Sequence, residues 1–509
     1  MTQPANTVLE LLQVGAAQAP ALSAPSATTL DYQNLRALVL GTVSALNAHG
    51  IGRDDRVALV LDNGPHMAAL FLAVAAGATA APLNPAYRAE EHEFYLQDLH
   101  AKLLIVEENK PSPVIAVAEK LGLRIARLRV NTTDPAGQFE LLFESPAVTN
   151  GELRGGPAEP DDIALVLHTS GTTSRPKIVP LSQRNVSASA YHIGRTLAFT
   201  HADRGLNIMP LFHIHGLIAG ILAPLAAGSS VFCTPGFNAL KFFGWMAEAK
   251  PTWYSGVPTM HQAILLRASK SADVIRDHPL RFVRSSSSSM PTQVIRELEN
   301  VFRAPVIEAY SMTEAAHQMT SNPLPPGERI PGSVGQAAGP QVCILDDQGN
   351  QLAPGATGEI AIRGPNVMSG YENNPKANAE AFSHGWFRTG DQGVMDAAGY
   401  VTITGRLKEI INRGGEKISP REVDEVLMDH PAVAQCVTFA LPHDKLGEEV
   451  AALVVLREGQ SATEKQLREF ASTRLAAFKV PAKIVFRDEI PKGATGKLQR
   501  IGLSQKLGL

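Results

Sequence analysis

Between residues 55 and 110 the chain repeats one arrangement. A short apolar run (DRVALVL) leads into an Ala-rich helical stretch (PHMAALFLAVAAGATAAPL), and a second helical stretch leads into another apolar run (AEEHEFYLQDLHAKLLIVEE). Strand-length runs separated by helices predict parallel pairing, because two parallel strands need a long crossover rather than a tight turn. The texture recurs in RGLNIMPL, SSVFCT, TWYSGVP and LRFVRSS, with NALKFFGWMAEAK and PTMHQAILLRASKSADVIRDH as the helical separators. The chain is therefore of the α/β class, and its 509 residues allow about three packing units.

Near residue 330 the pattern changes to short strands punctuated by Gly and Pro (QVCILDDQGNQL, GEIAIRG, GYVTITG), which predict a small antiparallel sheet. A second change follows near residue 405. Ser419-Pro420-Arg421-Glu422 has the spacing of a capping box with Pro at the first helical position. The apolar runs after it read as a compact α+β unit. The expected architecture is a large N-terminal domain over 1–405, with parallel or mixed sheets layered with helices plus the small antiparallel sheet, and a small α+β C-terminal domain over 406–509.

The uncharged stretch Gly205 to Leu240 has enough apolar residues to raise the question of a membrane span. Pro210, Pro224, Pro235, His213 and His215 interrupt it, so it reads as a buried helix and strand. With 46 Lys and Arg against 49 Asp and Glu, the formal net charge of −3 offers no general attraction to nucleic acid or anionic lipid. Cys233, Cys343 and Cys436 are far apart and show no metal-ligand spacing. The N-terminal residues lack the pattern of a secretory signal, and the cytoplasm is the expected location.

Directly after the strand-like IALVL comes HTSGTTSRPK, His168 to Lys177. Small hydroxyl residues and Gly let successive backbone N–H groups turn inward around an anion, with hydroxyls and a Lys as further donors. The preceding strand and the Pro-Lys after the loop favour phosphate binding over a flexible polar loop. It is not a Walker loop, since GxxxxGK[ST] is absent. Tyr310 alone would read as core, Glu314 as a solvated helix residue, Asp391 as a turn residue and Lys497 as a solvated loop cation.

Seven segments in order, HTSGTTSRPK, PLFHIHG (210–216), YSMTE (310–314), GEIAIRG (358–364), WFRTGD (386–391), GRLKEIINRGGEKISP (405–420) and PKGATGK (491–497), resemble the motif series of the adenylate-forming superfamily. That superfamily contains acyl-CoA synthetases, stand-alone adenylation domains and firefly luciferase. The resemblance implies that Thr169, Ser170, Gly171, Thr172, Thr173 and Lys177 hold the ATP phosphates. Tyr310 would stack on adenine, Thr313 would bond the α-phosphate, and Glu314 would bind Mg²⁺. Asp391 and Arg406 would hold the ribose. Lys497 would bridge substrate carboxylate and α-phosphate, supplying the fixed positive charge that two reacting anions require. Lys408 would be the pivot of a mobile C-terminal domain that presents Gly414 and Gly415 to CoA in its second orientation.

For the acid, RFVRSSSSSMP and APVIEAYSMTEAAHQMTSNPLPPGERIPGSVG most resemble the oxalate-CoA ligases. This implies substrate contacts at His213, Ser289 and His317, and ATP, Mg²⁺ and CoA as the reacting set. Hydroxyls and imidazoles converging on one pocket suit a small doubly charged acid, whose second carboxylate is costly to bury without donors. The competing readings are a medium-chain or aromatic acyl-CoA synthetase, an enzyme loading a carrier protein, and an ADP-forming phosphotransferase or ATPase. The sequence leaves the oligomeric state open.

Overall fold

The strand and helix alternation of residues 55–110 folds as a parallel sheet in the computed structural model, which describes residues 5–144, 153–169, 176–491 and 500–509. Arg56–Val60 pairs in parallel with Thr79–Pro82 on one side and Leu103–Glu107 on the other. The helix Pro65–Ala75 crosses over between the first two. Its residues Met67 to Ala75 are all buried, as expected for a helix apolar on every face. Ile163–Thr169 and Lys177–Ser182 complete one side of this seven-stranded sheet as an antiparallel pair.

A second sheet of nine strands carries the later repeats. Ser230–Cys233, Arg204–Asn207, Trp253–Gly256, Phe282–Ser285 and Val306–Met312 lie side by side in parallel, and His317–Ser321 turns back antiparallel to the last. Their carboxyl ends run into PLFHIHG, the helix Pro258–Ala268, the serine run and the TEAAH corner. In open parallel sheets this edge is where ligands bind, because the loops leaving it converge there.

The uncharged stretch is a buried helix and strand. His215–Leu222 is wound as a π-helix, continues as the short helix Ala223–Ala226 and is followed by Ser230–Cys233; every residue from 215 to 222 is buried. Wide helical turns of this kind are frequent at functional sites. Gly216 lies hard against the preceding chain, and a Cβ there would be 2.2 Å from the Pro210 carbonyl oxygen. Among the described residues no helix is long and apolar enough to cross a membrane.

The small antiparallel sheet forms from Gln341–Leu345, Thr357–Arg363 and Trp386–Met395, with Phe382–Ser383 and Val401–Arg406 both paired to Trp386–Met395. Beyond it, Ile411–Arg413, Glu416–Ile418, Val433–His443, Gly447–Leu456 and Lys483–Phe486 make another sheet. A core including Ile411, Val423, Leu427, Val450, Leu467 and Ile484 packs against it. Only half of the anticipated capping box is present. Ser419 Oγ accepts from Glu422 N at 3.4 Å, but the Glu422 carboxylate takes Lys479 Nζ at 2.7 Å on each oxygen. A charge-assisted bond to an ammonium is stronger than one to a neutral backbone N–H. Arg421 joins this part of the chain to the small sheet, donating from Nη1 to the Ile403 carbonyl at 2.7 Å.

Because backbone rather than a flexible side chain blocks that position, Gly216→Ala should displace the start of the buried helix and destabilise the protein by about 1–3 kcal/mol. Thermal unfolding reads the stability.

Candidate active site

Asp391 lies where the small antiparallel sheet meets the nine-stranded sheet. It is the cross-strand partner of Arg406 in the small sheet and is almost completely buried. Arg406 Nε donates to its Oδ1 at 3.1 Å, and the Tyr310 hydroxyl, from the parallel strand Val306–Met312, donates to its Oδ2. The backbone N–H of Asp391 donates to Thr389 Oγ1 at 3.1 Å. Burial, followed by the negative charge of Asp391, pushes Tyr310 well above the ordinary phenol range, so the tyrosine remains a neutral donor. The three residues expected at adenine and ribose are thus brought together, with both carboxylate oxygens of Asp391 engaged by protein donors.

Thr169 and Lys177 are register partners at the loop end of their hairpin, so the two ends of the glycine- and hydroxyl-rich loop are adjacent. Ser170, Gly171, Thr172 and Thr173 lie outside the described residues. Lys177 Nζ sits 4.2 Å from the ring centroid of Tyr371, whose hydroxyl donates to Glu314 Oε1 at 2.8 Å. Tyr371 therefore joins the phosphate-loop lysine to the carboxylate expected to hold Mg²⁺. Burial raises Glu314 above the usual carboxyl range, and the Tyr371 hydrogen bond, its own backbone N–H and the Lys177 and Arg406 charges act in the opposite direction. Thr313, half-buried, opens the short 3₁₀ turn that carries Glu314.

Past that turn Ala316 and His317 both have positive φ, +47° and +101°. These are sparsely populated conformations for residues with side chains. They carry His317 into the protein, where its ring lies against that of His215 with centroids 4.8 Å apart. His215 Nδ1 is 3.1 Å from Ser287 Oγ and its Nε2 is 2.7 Å from Ser255 Oγ. Arg284, fully buried, brings Nη1 to 3.4 Å from the same Nε2 and donates from Nη2 to Gln318 Oε1 at 3.3 Å. His213 is half-buried two residues before His215, its ring packed at 4.6 Å against Phe212.

The serine run divides by burial. Ser285 and Ser286 are buried, Ser286 Oγ donating to the Ala309 carbonyl at 2.9 Å, whereas Ser288 and Ser289 are exposed. Sequence reasoning placed Ser289, His213 and His317 at the acid, included Arg284 and Ser287 only as part of the RFVRSSSSSMP loop, and passed over His215, Ser255 and Tyr371. The second histidine of PLFHIHG was a signal for His215. Tyr371 had no local signal, since its partner Glu314 is 57 positions away.

Lys408 is exposed in a turn after the last strand of the small sheet, where Glu409 N and Ile410 N both donate to the Arg406 carbonyl. Gly414 and Gly415 form the two-residue connection between Ile411–Arg413 and Glu416–Ile418, with φ of +60° and +96°. Hairpin turns with two positive φ values favour glycine at both positions, so the pair has a backbone reason to be glycine here. Lys497 lies outside the described residues.

The model of the AMP-binding enzyme family matches residues 13–372, and that of the AMP-binding enzyme C-terminal domain matches residues 422–497. A probable CoA ligase, CCL9, of Humulus lupulus is 47% identical over 92% of this chain and 90% of its own. An oxalate–CoA ligase of Arabidopsis thaliana is 45% identical over 94% of both chains. The crystal structure of ATP-bound MatB from Rhodopseudomonas palustris has a TM-score of 0.86 and 30% identity, with 98% of each chain covered.

Removing the Tyr371 hydroxyl takes away the leading influence that holds the Glu314 pKa down. If Glu314 acts as its ionised form, activity is lost as pH falls through its pKa. Tyr371→Phe should therefore move the acidic limb of the pH–rate profile to higher pH and lower kcat/KM for ATP near neutrality by roughly tenfold. A profile whose acidic limb does not move would show that this hydroxyl does not tune Glu314.

Proposed function

The chain belongs to the AMP-binding enzyme family, and from that premise we propose that it is an ATP-dependent acid-CoA ligase that converts oxalate to oxalyl-CoA with release of AMP and pyrophosphate. The observation that carries the choice of acid is the likeness to an oxalate–CoA ligase along nearly the full length of both chains. The chemistry of the pocket agrees with it: imidazoles, hydroxyls and a guanidinium gather where a medium-chain or aromatic acid would need apolar walls.

In this reading the nucleotide lies across the carboxyl edge of the nine-stranded sheet. Tyr310 faces adenine, and Asp391 with Arg406 receives the ribose. Thr169, Ser170, Gly171, Thr172, Thr173 and Lys177 take the β- and γ-phosphates. Glu314 fits Mg²⁺, an ion commonly bound through one or two carboxylates plus substrate phosphates, with the remaining positions kept by water. Bound there, the ion would neutralise phosphate charge. Among the described residues no cluster of three or more metal-ligating side chains competes for it.

A carboxylate oxygen of the acid attacks the α-phosphorus, and the bond to the β-phosphate bridging oxygen breaks, releasing pyrophosphate. Thr313 holds the α-phosphate in line, His213, Ser289 and His317 hold the acid, and Lys497 offsets the repulsion between the two anions. The CoA sulfur, as its thiolate, then attacks the carbonyl carbon of the mixed anhydride, and AMP leaves.

Both half-reactions use the same bound acyl group, so Lys497 and CoA take turns at it. The domain of residues 406–509 would make the exchange by rotating at Lys408, with Gly414 and Gly415 reaching the CoA side in the second orientation. The exposure of Lys408 and the short turn around it support that pivot. The three cysteines are free and buried, which accords with a reducing compartment such as the cytoplasm.

An acid panel tests the proposal. Oxalate should give the highest kcat/KM for AMP, pyrophosphate and CoA-thioester formation; hexanoate or coumarate ahead by orders of magnitude would sink it, as would ADP as the nucleotide product. Lys497→Ala should slow adenylate formation by ~10²–10³-fold while leaving thioester formation from a preformed acyl adenylate intact.

A further inference from the structure

Arg284 is a cation in a place where a cation is costly. It lies in the strand Phe282–Ser285, in the interior of the nine-stranded sheet, with no solvent exposure, and burial alone pulls its pKa down to about 9. Arg421, also buried, meets a carboxylate, its Nε bonding Glu425 at 2.9 Å, as does the half-buried Arg500, whose Nη2 bonds Asp424 at 2.5 Å. Among the described residues no carboxylate lies within ion-pairing distance of Arg284. Its polar neighbours are neutral or imidazole groups, and its Nε has no hydrogen-bond partner.

Isolated buried charge does not stabilise a fold. Replacing such groups by packed apolar side chains is often neutral or favourable. Yet the surroundings hold this guanidinium in one orientation. Gln318 Nε2 donates to Thr196 Oγ1 at 3.1 Å and to the Ala338 carbonyl at 3.0 Å, which turns its Oε1 toward Arg284. Ser255, the register partner of Arg284 on the neighbouring strand, shares its contact with His215 Nε2.

A guanidinium can only donate. Its presence beside His215 Nε2 at 3.4 Å favours the tautomer in which Nε2 accepts and Nδ1 carries the ring proton toward Ser287 Oγ. With its oxygen accepting from the ring, the Ser287 hydroxyl keeps its own hydrogen to donate elsewhere. Ser287 is half-buried at the carboxyl edge of the sheet, with φ of +71°. The series Arg284, His215, Ser287 thus runs from a buried positive charge to a hydroxyl donor on the side where the acid would enter.

We propose that Arg284 sets the preference for a short dianionic acid: acting through His215 and Ser287, its buried charge offsets the second negative charge of the substrate. Arg284 is a positioning residue in this scheme, and Ser287 is the group that meets the distal anionic group. The inference rests on the acid-CoA ligase reading and adds to it the reason a second negative charge is accepted.

The test is Arg284→Met in the full chain, assayed with ATP and CoA against oxalate and against acetate as a small monoanion. Each acid is read as kcat/KM where it is turned over and as an inhibition constant where it is not. The variant should unfold at a temperature no lower than the parent. Its kcat/KM for oxalate should fall roughly 10- to 100-fold, mainly through KM, with acetate and the KM for ATP unchanged.

Equal losses for both acids, or no loss for oxalate, would overturn the proposal. Arg284→Gln replaces the methionine variant if that one does not fold. Failure of both to fold would also overturn it, since it would make the guanidinium a structural necessity. A parent enzyme that ignores oxalate but activates another short dicarboxylate would sink the oxalate reading alone, and the same comparison with that acid would still decide the role of Arg284. A parent that prefers monoanions would sink both.

Discussion

The carboxylate of Asp391 is the joint on which the site depends. A buried carboxylate is stable only with donors around it, and these come from two sheets: the Tyr310 hydroxyl from the parallel sheet and Arg406 Nε from the adjoining strand of the small antiparallel sheet. Glu359 reinforces the second side, accepting from Gly390 N at 2.8 Å and Arg388 Nε at 2.6 Å. The WFRTGD segment is thereby fixed from both flanks. Because Arg406 is also the last residue of its strand before the turn at Lys408, the side chain that steadies Asp391 sits at the start of the proposed pivot. A ribose entering here would replace donors that Asp391 already has, so its arrival and the position of Arg406 are coupled through one carboxylate.

The regular architecture was legible because its signals are local. The apolar runs near 55–110 and 204–312 predicted parallel strands, and the Gly/Pro-punctuated runs after 330 predicted the antiparallel sheet; both formed with the expected directions. Local rules also misled where a partner distant in sequence offered more. Glu422 left its helix cap for Lys479.

The site was legible in its residues and much less so in its wiring. Tyr310, Asp391 and Arg406 were named from motifs, and the structure brings them together; the bonds among them join residues up to 81 positions apart and left no periodic trace. The serine run shows the same limit. Five identical letters hide a change from buried strand to exposed loop between Ser285 and Ser288, which only the position of the strand end decides. Arg284 was read with the serine run as part of one loop, whereas the fold places it within the strand Phe282–Ser285 in the interior of the sheet.

The route of the acyl group follows from what the cysteines cannot do. A thiol becomes a useful nucleophile when neighbouring positive charge or a helix terminus stabilises its thiolate. Here burial pushes Cys233 up to about 12 and Cys343 up to about 11, and burial with the Asp424 carboxylate beside it holds Cys436 well above the ordinary thiol range. None of the three can offer a thiolate near neutral pH, and all are shielded from solvent. An acyl group activated in this protein therefore passes from the adenylate to an external thiol without resting on a cysteine. In the proposed reaction the two half-reactions would then share one site by exchange of the groups around the adenylate, Lys497 for the first and the CoA sulfur for the second, with no cysteine as a covalent station.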